Sequence, residues 1–235
     1  MNNQAQVYYF SNLDSTSKYL KELISQGVSS NTVIWADKQS QGKGRQGREW
    51  ISPPGGLYFS VLLFSSIPVK PAFSLVAGEA VVEALKLFSN KNIQIKWPND
   101  IMVSGRKVAG ILCESLNKNL IVGVGLNIKH PAKIPKKLKG KIGYLSDIEC
   151  IPREKILEKI LTHLFLYWEH FQKEGFSPFR ERQLQLAYLL NREIIVDDCR
   201  GRMVDYGPSG ELILLTEENE RKKIIQGSVK ALGGN

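Results

Sequence analysis

A chain of 235 residues with 43% hydrophobic side chains can bury one sizeable core and carry a small satellite. No apolar run approaches the roughly 20 residues that span a bilayer, and the Met1-Asn2-Asn3-Gln4 start lacks the charged and apolar regions of a signal peptide. A cytoplasmic protein with no membrane partner is expected. The formal charge of +9 points to anions, while Cys113, Cys150 and Cys199 are too few and too scattered for a disulfide framework or a zinc cluster.

The first element is a short helix from Asp14 to Gln26, with Tyr19, Leu20, Leu23 and Ile24 on one face and the capping residues Asp14, Ser15 and Thr16 before it. Its free N–H groups and the Ser15 and Thr16 hydroxyls could hold a polar ligand head; plain capping is the commoner fate. Val33–Ala36 reads as a buried strand that runs into Gly42-Lys43-Gly44-Arg45-Gln46-Gly47-Arg48-Glu49-Trp50. Glycine lets backbone approach a ligand closely, and arginine offers a planar fork of donors to phosphate or carboxylate. Neither standard phosphate motif fits this loop: no Lys-Ser/Thr ending follows, and a Pro-Pro-Gly-Gly turn stands where a helix should begin.

Leu57–Phe64 is a strongly apolar strand. Then the period changes: Phe73, Val76, Ala77, Ala80, Val81, Ala84, Leu85 and Phe88 make a helical stripe that starts after Pro71 and should cover the sheet. Ile93–Trp97 follows as a strand, and Ile101–Val103 with Lys107–Cys113 form a hairpin through Ser104-Gly105. Leu120–Ile128 is a strand interrupted by Gly123 and Gly125, which mark close approach of something to the backbone. The lysines of Pro131–Lys141, without interleaved aromatics, read as a solvated loop.

A long helix covers Arg153–Phe171, and His163 and His170 on it have no metal-ligating neighbours in sequence. From about Asn191 short strands alternate with tight turns: Glu193–Val196, Arg202–Tyr206, Glu211–Leu215 and Lys222–Ile225. They predict a small β-barrel appended to an α/β domain, with a catalytic domain over 1-188 and a barrel domain over 189-235.

Three separated stretches share one chemistry: the basic glycine loop, Lys96-Trp97-Pro98-Asn99-Asp100, and Gly105-Arg106-Lys107-Val108-Ala109-Gly110. In this order they resemble the biotin protein ligases, and the likeness runs from Asp14-Ser15-Thr16 to Gly123-Val124-Gly125-Leu126-Asn127. The resemblance implies an α+β fold: a mixed central sheet flanked by helices, similar to class II aminoacyl-tRNA synthetases, followed by a small SH3-like β-barrel. It implies that biotin and ATP-Mg²⁺ give biotinyl-5′-AMP, from which a lysine of a biotin carboxyl carrier protein takes the biotinyl group, as in a biotin–[acetyl-CoA-carboxylase] ligase.

By position, the resemblance puts Lys107 and Arg45 in the catalytic set, which Asp100 completes on the hairpin geometry below. It assigns Ser15, Thr16, Gln39, Gly42, Gly44, Gly47, Gly110, Gly123 and Gly125 to biotin, together with Arg45 and Lys107. Arg48, Trp50, Asn99 and Asn127 join Arg45 and Lys107 at the adenylate. Magnesium would be held mainly by ATP phosphates, with Asp100 as the one further candidate.

The hairpin adds a check of its own. If Ser104-Gly105 is a two-residue turn, Met102 pairs with Lys107, and Asp100 falls diagonally across the ladder within about 7 to 8 Å. From there a carboxylate would orient Lys107 and help activate the incoming amine; alternatively it caps the Pro98-Asn99 turn. Two departures from the family pattern stand out. Lys43 replaces an arginine, and Gln226-Gly227-Ser228-Val229 replaces a more acidic segment.

Two rival readings exist, lipoate or octanoate transfer and a basic nucleic-acid-binding module. Trp50 and the intact Lys-Trp-Pro-Asn-Asp favour biotin over the first. Against the second, the resemblance begins by about Tyr9, so no specific DNA binding is expected; whether the chain forms a homodimer is left open.

Overall fold

The computed structural model describes residues 5–28, 30–64, 72–116, 119–133 and 135–232. The Met1–Gln4 start and Pro71 lie outside the described residues. In chain order the strands of the larger sheet are β1 (Gln6–Phe10), β2 (Thr32–Ala36), β3 (Leu57–Phe64), β4 (Ile93–Lys96), β5 (Asp100–Val103), β6 (Arg106–Leu116) and β7 (Asn119–Leu126). They lie in the order β1-β2-β3-β7-β6-β5-β4. Only β1 and β2 run parallel; every other neighbouring pair is antiparallel, so the sheet is mixed, as expected.

Strand alternation separates two apolar clusters. On one face Phe59, Val61 and Leu63 of β3 and Val122, Val124 and Leu126 of β7 pack under α2 (Phe73–Lys86) and α3 (Arg153–Glu174). On the other face Ile34, Leu62 and Ile121 meet Leu20 of α1 (Thr16–Ser25). Ser15 caps α1, its Oγ accepting the Lys18 N–H at 3.5 Å. Helix α1 covers only part of its face; beyond its N-terminus the inward positions shrink to Ser60, Gly123 and Gly125, and a cavity opens. No described helix is long and apolar enough to cross a membrane.

A short helix, α4 (Arg180–Leu186), leads to β8 (Glu193–Val196), β9 (Cys199–Tyr206), β10 (Leu212–Leu215), β11 (Arg221–Ile224) and β12 (Val229–Ala231). These five strands lie in the order β11-β10-β9-β8-β12. Among the described residues β11 and β12 do not pair, so the expected barrel is an open sheet. Closure needs a ladder between first and last strands, and the three residues of β12 are all used against β8.

Candidate active site

A cavity of about 330 Å³ lies on the α1 face of the large sheet. Its floor is a cross-strand row, Tyr58 opposite Gly125, Gly125 opposite Gly110, Gly110 opposite Asp100 and Asp100 opposite Lys96. Two glycines in the middle of that row leave space where side chains would otherwise stand. The Trp50 indole fills part of it: a Cβ on Gly125 would collide with Trp50 Nε1, and one on Gly110 would come within 2.9 Å of Trp50 Cζ3. Among the described residues, Trp50 Nε1 is buried without a hydrogen-bond partner.

Met102 pairs with Lys107 as the turn geometry predicts. A bulge then follows, so that Asp100 faces Gly110 rather than Ala109. Ala109 packs in the core under α2, whereas Gly110 lines the cavity. The extra residue therefore turns Lys107, Gly110 and Asp100 toward one space. Lys107 Nζ sits 2.5 Å from Asp100 Oδ1 and 5.1 Å from the Trp50 ring centroid. Asp100 thus serves as an ion-pair partner rather than as a turn cap.

One end of the cavity is neutral and polar. Gln39 Oε1 accepts from the Thr16 backbone N–H at 2.9 Å and from Thr16 Oγ1 at 3.2 Å, and Gln39 Nε2 donates to Ser52 Oγ at 2.8 Å. Thr16 Oγ1 and Ser60 Oγ share a hydrogen bond of 2.7 Å, and Ser15 Oγ lies 3.2 Å from Ser17 Oγ. Ser15, Thr16 and Ser60 are all buried. Fixed donors and acceptors on a helix N-terminus and a strand suit a neutral, hydrogen-bonding ring.

The other end is cationic. Among the described residues, seven Lys and Arg side chains line the cavity against the two carboxylates Glu49 and Asp100. The glycine loop closes as a hairpin, with Trp50 N donating to Gly42 O at 2.8 Å and Gly44 N to Arg48 O at 2.7 Å. Arg45 Nη1 donates to Asn99 Oδ1 at 3.1 Å, and Asn99 is itself pinned to Ile111 by a side-chain bond of 2.8 Å and a backbone bond of 2.9 Å. Burial pulls the Arg45 guanidinium below its usual range, opposed by Asp100, and burial likewise lowers the Lys96 ammonium. Arg48 Nη2 donates to Ser228 Oγ at 3.2 Å, so the segment Gln226-Gly227-Ser228-Val229 reaches the loop through a neutral hydroxyl.

Of the residues singled out from the sequence, Ser15, Thr16, Gln39, Gly44, Arg45, Arg48 and Trp50 line this one cavity. So do Asn99, Asp100, Lys107, Gly110, Gly123, Gly125 and Asn127. Gly42 and Gly47 do not. Gly42 is packed into the hairpin, where a Cβ would collide with Trp50 O, and Gly47 turns the open loop tip at φ +72°. Ser60 escaped the sequence reading, although a lone serine inside the apolar run Leu57–Phe64 was its signal. The lysine-rich loop is more than a solvated surface: its Lys133, Pro135 and Leu138 form part of the wall, together with Lys129 just before it. Among the described residues no group of three His, Cys, Asp or Glu side chains could hold a metal ion. Asp100, already paired with Lys107, is a single carboxylate and makes no magnesium site by itself.

Residues 9–129 match the Biotin/lipoate A/B protein ligase family. The bifunctional ligase/repressor BirA of Bacillus subtilis (strain 168) is 32% identical, over 96% of this chain and 73% of that protein. The biotin–[acetyl-CoA-carboxylase] ligase of Paracoccus denitrificans is 30% identical, over 87% of this chain and 96% of the other. A solved structure, the biotin protein ligase from Aquifex aeolicus in complex with biotin and ATP, shares the fold at a TM-score of 0.86 and 31% identity, covering 97% of this chain and 99% of that one. With the glycine floor, the lysine–aspartate pair and the neutral pocket assembled in one cavity, and with relatives alike across nearly the whole of this chain, it belongs to the biotin/lipoate A/B protein ligase family.

Proposed function

We propose that the chain is a cytoplasmic, ATP-dependent biotin–protein ligase. The biotin carboxylate attacks the α-phosphate of ATP, forming biotinyl-5′-AMP and releasing pyrophosphate. The amine of a carrier-domain lysine then attacks the acyl carbon; the acyl–phosphate bond breaks, AMP leaves, and biotinyl-lysine is formed with loss of a proton. The carrier is a biotin carboxyl carrier domain of acetyl-CoA carboxylase type, in line with the name of the Paracoccus relative. Magnesium would arrive on the ATP phosphates and neutralise part of their charge.

The observation that carries this reading is Lys107, held 2.5 Å from Asp100 over a glycine floor between a neutral pocket and a cationic one. Two anions repel each other, and a fixed ammonium at their junction draws them together and stabilises charge developing at phosphorus. In this reading Thr16, Gln39 and Ser60 hold the ureido ring, and Arg45 with Arg48 covers the adenylate. Trp50 and Asn127 flank it, and Asp100 orients Lys107 and takes up the amine proton. The catalytic part spans residues 1–188 and the C-terminal part 189–235, and the Arg48–Ser228 bond supports their acting together.

Exchange of labelled pyrophosphate into ATP tests this reading. We expect exchange that requires biotin, followed by transfer to a carrier domain. Exchange driven equally well by lipoate or octanoate, or independent of any acid, would contradict it.

A further inference from the structure

Between Asn127 and Leu145 the chain leaves the sheet, and its return is fastened to the catalytic strand. Lys107 N donates to Lys141 O at 3.2 Å, Gly143 N donates to Lys107 O at 2.8 Å, and Leu145 N donates to Asn127 O at 3.0 Å. Asn127 N itself donates to Val108 O at 2.8 Å. This strap is thus hydrogen-bonded to the backbone of Lys107, and its Lys129 and Lys133 line the cavity rather than only the outer surface. Both side chains are exposed, and among the described residues neither is paired with a carboxylate. Lys129 is placed by Gly55, whose carbonyl accepts the Lys129 N–H at 3.0 Å.

We propose that Lys129 and Lys133 form the subsite for the polyphosphate of ATP and for the pyrophosphate that leaves. This rests on the ligase reading above and adds residues to it. Arg45 and Lys107 belong to the junction where the α-phosphate reacts, so the β and γ phosphates need separate cations. The neutral pocket offers none; of the remaining cations that line the cavity, the strap holds two at its wall. Lysine suits this role, because a mobile point charge binds phosphate without the fixed bidentate geometry that would slow release of pyrophosphate. Since these ammonium groups are exposed, salt should weaken the interaction.

The experiment uses the whole chain carrying Lys129→Ala and Lys133→Ala together, with Lys129→Arg/Lys133→Arg as the charge-keeping control. The KM values for ATP and for inorganic pyrophosphate in the exchange reaction should both rise about tenfold, as for two partly solvated charge contacts. The arginine variant should recover most of that loss. Biotin affinity should be unchanged, which also reports that the variant is folded. Transfer from preformed biotinyl-5′-AMP to a carrier domain should be unchanged, because that step involves no pyrophosphate. Unaltered KM values for ATP and pyrophosphate would overturn the proposal. A raised KM for the carrier in the preformed-adenylate assay, with ATP unaffected, would overturn it in favour of a protein-docking strap. Absence of biotin-dependent exchange in the unmutated chain would instead count against the ligase reading itself.

Discussion

At one end of the cavity Thr16, at the N-terminus of α1, is hydrogen-bonded to Gln39 and to Ser60 of the buried strand β3. At the other, Lys43, Arg45, Arg48, Lys129 and Lys133 stand on loops, and several of them are exposed. The neutral end is complete without a ligand: its polar groups already have partners, so little order must be gained on binding. The cationic end is incomplete, since like charges repel until an anion joins them. The difference teaches how one cavity separates selection from chemistry. On the proposed reading, shape and hydrogen bonds choose the acid at a rigid wall, while loops closing over phosphate would control when it reacts and when it is released.

The largest effect should come from the junction. Lys107→Ala is expected to slow adenylate formation by about 10²-fold or more, because a preorganised charge at a developing oxyanion is typically worth that much. Biotin binding should weaken far less. Steady-state exchange alongside biotin titration checks both, and near-normal exchange would remove Lys107 from the chemistry.

At the neutral end Gln39→Ala should raise the KM for biotin by about tenfold, the scale of one buried hydrogen-bonding group lost. The maximal rate should stay near the unmutated value, since the reacting atoms are untouched. A fall in the rate at saturating biotin would mean that the two ends are not separable.

Arg45→Gly should act on retention. Arg45 is anchored to Asn99 at 3.1 Å, so its loss unfastens the loop from the floor. The variant should still make adenylate yet release it sooner, labelling serum albumin several-fold more than the unmutated enzyme does. Equal albumin labelling with adenylate synthesis intact would show that Arg45 does not retain the intermediate.

The smallest effect concerns pH. Burial lowers the Lys96 ammonium below the ordinary lysine range, so on raising pH it loses its proton before the exposed lysines do. The cationic end should therefore weaken first, with the KM for ATP rising at alkaline pH before other lysine charges are lost. Lys96→Arg, whose charge persists, should flatten that rise. An unchanged profile in the variant would exclude Lys96 as its source.

Much of this arrangement was legible in the sequence. The run Leu57–Phe64 is β3 residue for residue, the Phe73 stripe is α2, and the Ser104-Gly105 turn set the Met102–Lys107 register. These features are local, and local period or turn chemistry writes them plainly. Strand β1 escaped because Val7, Tyr8 and Tyr9 lie exposed on an edge, so no buried alternation marks it. Helix α4 and strand β12 are too short to show a period. The bulge that turns Asp100 toward Gly110 has no glycine to announce it. The strap is fastened to the catalytic strand through hydrogen bonds between Lys107 and residues 141 and 143, a tertiary closure that composition cannot reveal.

The separation of a preformed pocket from a ligand-ordered one is tested most directly by hydrogen exchange of backbone amides, in the free enzyme, with biotin alone, and with biotinyl-5′-AMP. Amides of β3 and of the first turn of α1 should be protected in all three states, with small changes. Those of residues 42–50 should exchange freely without ligand and with biotin alone, then become strongly protected with the adenylate. Equal protection of residues 42–50 in the free and adenylate-bound enzyme would contradict the account.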